Sequence, residues 1–327
     1  MADLDPQMQE VMDALEALGP KPIAELEPVE ARKQPTPADA VERVLDARGQ
    51  STEPEAVGDV EDRKIDNADS SMPLVGKIPI RIYTPMGEGP FPVLLYFHGG
   101  GFVIADLDVY DSSPRALANA ADCVVVSSHY RQAPEDPYPA ARDDAFAAYK
   151  WVLENMESIG GDGRIAIAGE SAGGNLAAGV TLRARDEGLP VPLHQLLVYP
   201  IVDGDDAKPA YSEHAGAKPL NAPMMAWFSK HYAPDTTDPY FSVSTASLEG
   251  VPPTTIVTAE VDPLRDDGKL LADRLQAAGV DVEHRHFDGV THEFFGTGAA
   301  VDKAKQAVDF AAGRLGKTFA IASSAKA

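Results

Sequence analysis

Five short, uninterrupted apolar runs constrain the fold of this chain more than any other feature. They are FPVLLYFHG (91–99), CVVVSSHYR (123–131), RIAIAGES (164–171), HQLLVYPIV (194–202) and TTIVTAEVD (254–262). A strand with one wet face alternates apolar and polar residues, whereas a strand covered on both faces is apolar throughout. Helical patterns separate most of these runs, at 139–157, 172–186 and 265–278, with another at 299–315. Strand and helix in alternation imply an α/β fold with a mostly parallel central sheet flanked by helices on both sides. One further run, KIPIRIYTP (77–85), alternates and reads as a strand with one exposed face.

Two regions break this rhythm. Residues 5–18 form a helical pattern: Asp5 caps it, Pro6 suits its first turn, Met8, Val11, Met12, Leu15 and Leu18 make one stripe, and Gly19-Pro20 ends it. A second helical pattern follows at about 37–48, with no strand before residue 56. The stretch from 205 to 245 is rich in turn formers and holds only a short aromatic helix around Met224–Tyr232. The expected organisation is therefore N-terminal cap helices (1–55), a first part of the core (56–204), a cap insertion (205–245) and a second part of the core (246–327).

Composition narrows the partners. A net charge of −23 among 327 residues repels nucleic acid and anionic membranes, so neither is expected. A single cysteine, Cys123, allows no internal disulfide and fits a reducing, cytoplasmic setting. The acidic N-terminus lacks the positive start and apolar run of a signal peptide, and no segment is long and apolar enough to span a bilayer.

The chemistry is concentrated at the ends of the apolar runs. Gly169-Glu170-Ser171-Ala172-Gly173 lies between a strand and a helical pattern, the context of a G-x-S-x-G nucleophile elbow. A serine hydroxyl needs a base, and the base needs an orienting acid; with this elbow they follow in the order Ser, Asp or Glu, His. Asp262 leaves one apolar run and His292 lies in a loop after the next strand, both at carboxyl ends, where such sheets place their sites. Glu260 sits inside its strand, and Asp266 and Asp267 suit the first turn of the next helix. His284 and His286 alternate along a strand with no ligand set around them, so no metal is expected. His129, His194, His214 and His231 have no patterned neighbours and read as structural or exposed. The run His98-Gly99-Gly100-Gly101 ends another strand. Glycines there let backbone N–H groups approach a developing oxyanion without a side chain in the way, and Ala172 supplies a further donor.

Taken together, YFHGGGF, YRQAPEDPYPAARDDA, GESAGGNLA, DPLRDDG and VTHEFF resemble the hormone-sensitive-lipase-like (bacterial family IV) carboxylesterases of the α/β-hydrolase superfamily, over residues 75–315. The resemblance implies Ser171 as nucleophile, His292 as general base and acid, and Asp262 as orienting carboxylate. It implies Gly100, Gly101 and Ala172 as oxyanion hole with His98 and Gly99 shaping the loop, and a bracing role for Tyr130, Arg131, Ala133, Pro134 and Glu135. Three positions depart from the family's commonest pattern: Glu170 replaces Asp, Asp136 replaces His, and Glu293 replaces Gly.

The expected reaction is hydrolysis of short to medium acyl esters through an acyl-enzyme, with no cofactor, in a monomer or homodimer. Phe102, Met224, Trp227, Phe228 and Phe295 are candidates for an apolar substrate pocket. An amidase or deacetylase with the same triad is the enzymatic alternative. A non-catalytic receptor on the same fold is the other, and the retained His292 weighs against it.

Overall fold

A computed structural model describes residues 3–66 and 77–324. In chain order the elements are α1 (Pro6–Ala17), α2 (Pro28–Ala31), α3 (Pro37–Ala47), β1 (Asp59–Asp66), β2 (Lys77–Thr84), β3 (Phe91–Phe97), α4 (Ser112–Ala121), β4 (Val124–Ser128) and α5 (Ala140–Asn155). They continue with β5 (Gly161–Glu170), α6 (Ala172–Asp186), β6 (Gln195–Val198), α7 (Pro209–Glu213), α8 (Ala222–Tyr232), β7 (Thr254–Val261), α9 (Arg265–Ala277), β8 (Val282–Thr291) and α10 (Asp302–Ser324).

The eight strands form one sheet in the order β1-β2-β4-β3-β5-β6-β7-β8. From β4 to β8 every neighbouring pair is parallel, and β2 and β1 add antiparallel at one edge. The apolar runs are the central strands. In β3, Val93, Leu95 and Phe97 face one core, and Leu94 and Tyr96 face the other. Helices α5, α6 and α9 cover the first face; α1, α3, α4 and α10 cover the second.

The strand order fixes where a site can form. After β3 the chain steps to one side for β4, then returns to the other side for β5, so the crevice at the carboxyl ends of β3 and β5 is the topological switch point. Phe97 and Gly169 pair there, which sets the HGGG loop beside the elbow.

The N-terminal helices and the 205–245 segment meet over this end of the sheet. Trp227 Nε1 donates to the Leu26 carbonyl at 3.0 Å, and Lys218 pairs with Glu16 at 2.9 Å. Helix α1 is capped by Asp5, whose carboxylate accepts from Gln7 N. It is anchored at its start by a bond from Asp5 N to Gly289 O. Helix α3 has a full capping box between Thr36 and Asp39. No helix among the described residues is long and apolar enough to cross a membrane.

Candidate active site

Ser171 sits between β5 and α6 with φ 55° and ψ −115°, a conformation an L-residue adopts only when its surroundings impose it. The surroundings are specific. Ser171 N donates to Val198 O, and its carbonyl accepts from Asn175 N and Ile201 N. The Asn175 amide ties α6 to Ile201 O and Phe241 O at 3.1 and 2.7 Å. Gly173 leaves no room for a side chain: a Cβ there would lie 2.0 Å from the Phe97 carbonyl oxygen. The helix therefore begins pressed against the backbone of β3, and its N-terminus, with the N–H of Ala172 unpaired by the helix, opens beside the loop of His98–Gly101.

That loop turns through two left-handed glycines, Gly100 at φ 97° and Gly101 at φ 60°. Its own bonds run from Val103 N and Ile104 N to Gly100 O, leaving the Gly100 and Gly101 N–H groups out of the turn. Tyr130 OH donates to the His98 and Gly99 carbonyls, and Arg131 grips Asp144 through Nε and Nη2 at 2.8 and 2.9 Å. The YR-APE stretch thus lies directly behind the loop.

Asp262 follows the end of β7 and is fully buried. Its Oδ1 accepts from Leu264 N at 2.8 Å, and its Oδ2 accepts from His292 Nδ1 at 2.7 Å. Burial would depress the His292 imidazole, but the charge and hydrogen bond of Asp262, reinforced by Glu293 and Glu170, hold it above its ordinary range. Among the described residues no hydrogen bond joins Ser171 to His292.

Two buried carboxylates flank Ser171 and His292 in sequence. Glu170 accepts from Tyr96 OH at 2.7 Å and from Tyr199 OH at 2.5 Å, and the Tyr199 ring packs 4.4 Å from that of His292. Glu293 accepts from Tyr110 OH at 3.1 Å. Burial raises the pKa of both acids against these hydrogen bonds.

The rejected candidates lie elsewhere. Glu260 accepts from Gly289 N. Asp266 and Asp267 do stand in the first turn of α9, and Asp267 is also buried against Lys208 at 3.3 Å. His284 and His286 share Thr258 Oγ1. His194 bridges Thr318 and Thr255, His214 contacts Arg265, and His231 packs edge-on against Trp227. Cys123 is buried, which pushes its thiol pKa up.

A cavity of about 780 Å³ opens next to Gly100. Its roof includes Met12 and Leu15 of α1, Ala31 of α2, Leu220 and Met224; its floor includes Tyr110, His129, Gln132 and Glu293. Of the five pocket candidates, Met224 lines it. Phe102 instead stacks on Tyr232 at 3.9 Å, and Phe228 lies over Gly101. Trp227 caps Leu26, and Phe295 is buried on the other face of the sheet. Sequence reasoning gave no role to Tyr110, Gln132 or Tyr199. His129, which reads as structural or exposed, bonds His98 at the edge of the cavity. Only their tertiary neighbours single these four out.

Comparison with known proteins agrees with this architecture. A family model described as alpha/beta hydrolase fold matches residues 94–296. The esterase LipI of Mycobacterium tuberculosis is 44% identical over 72% of this chain and 76% of its own length. The ethyl acetate hydrolase of Pseudomonas putida is 34% identical over 87% of this chain and 88% of its own. The solved hyperthermophilic esterase of Pyrobaculum calidifontis superposes with a TM-score of 0.84 at 34% identity, covering 96% of this chain and 98% of that one.

Proposed function

The chain belongs to the hormone-sensitive-lipase-like carboxylesterases of the α/β-hydrolase superfamily, and from that premise we propose how it cleaves an ester and which esters it takes. His292 Nε2 removes the Ser171 proton as Oγ attacks the carbonyl carbon. The carbonyl oxygen becomes an oxyanion facing the N–H groups of Gly100, Gly101 and Ala172. The tetrahedral intermediate collapses, and the departing alkoxide takes the proton from His292. A water then gives its proton to His292 and attacks the acyl-enzyme, and the carboxylic acid leaves as Ser171 recovers its proton. Asp262 holds Nδ1–H throughout, so that Nε2 always faces the reacting atoms. The bond between Ser171 and His292 forms in the substrate complex, where catalytic hydrogen bonds tighten.

The observation that carries this reading is the buried 2.7 Å bond from His292 to Asp262 at the same end of the sheet as the strained Ser171. Residues 1–55 and 205–245 act as a cap over a core of 56–204 and 246–327. The substrates are esters of short to medium acyl chains. Support comes from the size of the cavity beneath the cap, about 780 Å³, and from the ethyl acetate hydrolase named among the relatives. The test is hydrolysis of p-nitrophenyl esters from acetyl to palmitoyl by the wild type and Ser171→Ala. Activity on the short esters that vanishes in the variant is expected. Full activity in the variant, or a maximum at palmitoyl, overturns the nucleophile or the chain-length assignment respectively.

A further inference from the structure

The polar side chains on the cavity floor share a property that emerges when their protons are assigned. Tyr110 gives its hydroxyl proton to Glu293 Oε1. Gln132 Nε2 donates to the Ile104 and Ala105 carbonyls at 2.8 Å each, which spends both amide protons and leaves Oε1 as an acceptor. His98 Nδ1 lies 2.7 Å from the Gly99 carbonyl and must hold the proton, so its Nε2 accepts from His129 Nδ1 at 3.0 Å. His129 is then bare at Nε2, and burial holds both imidazoles below their ordinary pKa range, which keeps this arrangement neutral. Asp106 is an acceptor already bonded by Asp108 N and Val109 N. Glu293 makes no hydrogen bond through Oε2 among the described residues.

The floor therefore offers acceptors at Gln132 Oε1, His129 Nε2 and Glu293 Oε2, while the donors of Tyr110, Gln132 and His129 are spent. Arg32, which reaches the cavity from the α2 end, changes nothing: its guanidinium is bonded to Val103 O, Ala133 O and Glu135. Glu293 is independently unusual. It stands at φ 64°, a left-handed position that glycine would occupy without strain, and the chain holds a carboxylate there instead. An alkyl group laid on this floor strips water from three acceptors and returns nothing, and a carboxylate adds repulsion. An ammonium would satisfy Glu293 but must be dehydrated in a buried site whose other two acceptors are neutral. A hydroxyl group donates its one proton to one of these acceptors, Glu293 Oε2 being the charged one, and brings no charge of its own to be dehydrated.

We propose that the floor selects esters whose acyl or alcohol part carries a free hydroxyl group, with Glu293 as the specificity-determining residue. The inference rests on the serine esterase reading of the same site, because it requires the ester to lie against Gly100.

The test compares kcat/KM within isosteric pairs that differ by a hydroxyl in place of a methyl. One pair varies the alcohol side, 4-hydroxybutyl acetate against pentyl acetate. The other varies the acyl side, p-nitrophenyl 3-hydroxybutanoate against p-nitrophenyl 3-methylbutanoate. The hydroxyl member of at least one pair is expected to lead by about tenfold or more. That lead should shrink at least about threefold in Glu293→Gly, which suits the left-handed backbone, and in Glu293→Gln, which keeps the shape but loses the charge. A ratio within one enzyme is insensitive to any general loss of rate. Equal or lower kcat/KM for the hydroxyl member in both pairs overturns the proposal, as does a lead that survives intact in both variants. A parallel Ser171→Ala measurement on p-nitrophenyl acetate separates the two readings. Activity that depends on Ser171 without discrimination in either pair refutes the floor inference alone, whereas activity that survives Ser171→Ala refutes the esterase mechanism beneath it.

Discussion

Asp262→Asn is the substitution whose outcome the geometry specifies most fully. Both carboxylate oxygens are committed, Oδ1 to Leu264 N–H at 2.8 Å and Oδ2 to His292 Nδ1–H at 2.7 Å, in a fully buried position. An asparagine has one oxygen and one NH2 to replace them. If the oxygen serves Leu264, the NH2 faces His292, the imidazole proton moves to Nε2, and the base presents a donor to Ser171. If the amide flips, Leu264 N–H is buried against another donor, at about 1–3 kcal/mol. Restoring the productive tautomer therefore costs about that much. The variant also lacks a negative charge beside the imidazolium formed on attack, worth about 4 kcal/mol for unit charges about 4 Å apart at an effective dielectric of about 20. Together these are about 5–7 kcal/mol, or a loss of about 10⁴–10⁵ in kcat, of the order of the loss from the equivalent change in serine protease triads. The assay is p-nitrophenyl acetate hydrolysis at saturating substrate, with circular dichroism melting to confirm the fold. A folded variant that loses less than about tenfold would refute the reasoning.

Two further substitutions probe the framework around Ser171, Asp262 and His292. Gly173→Ala places a Cβ 2.0 Å from the Phe97 oxygen and 2.5 Å from the His98 oxygen, both backbone atoms; it should lower the melting temperature by several degrees and kcat/KM by about 100-fold or more, and an unchanged melting curve would mean that α6 does not bear on β3 this closely. Glu170→Gln removes a negative charge that helps hold the His292 imidazole up. Because the proposed base, His292, works only when neutral, kcat/KM falls as pH drops through its pKa, and the variant should carry that acid limb to lower pH; a pH–rate profile whose limb stays in place or moves up contradicts the assignment.

What could be read from the chain follows from how local each feature is. The five apolar runs became β3 to β7 because burial on both faces leaves a continuous signature. Strand β1, DVEDRKID, carries no such signature: it is an exposed edge that owes its conformation to pairing with β2. Helix α4, SSPRALANAA, is short and rich in small residues, so its stripe of Leu117, Ala118 and Ala121 shows only once the sheet is beneath it. The elbow and the HGGG loop are legible because glycine spacing encodes tight backbone approach within a few residues. The Tyr110–Glu293 bond spans 183 residues, and the His98–His129 pair spans 31, so no local pattern announces either. The aromatic residues next to the motifs point inward to support the backbone that carries them, as Phe228 does over Gly101, and the cavity wall falls instead to α1.

The contacts of α1 also bear on how much of the chain the cavity depends on. Besides packing on α3, α1 is tied to residues almost 300 positions away: Asp5 N bonds to Gly289 O, Gln7 to Asp302 and Met8 Sδ to Thr291, and Arg48 just beyond α3 bonds to Ala300 O. Without β8 and α10, α1 would lack these anchors and keep its packing on α3 and the Lys218–Glu16 pair. A product that stops before β8 can therefore hold Ser171 and the glycine loop and still lack the α1 part of the cavity wall.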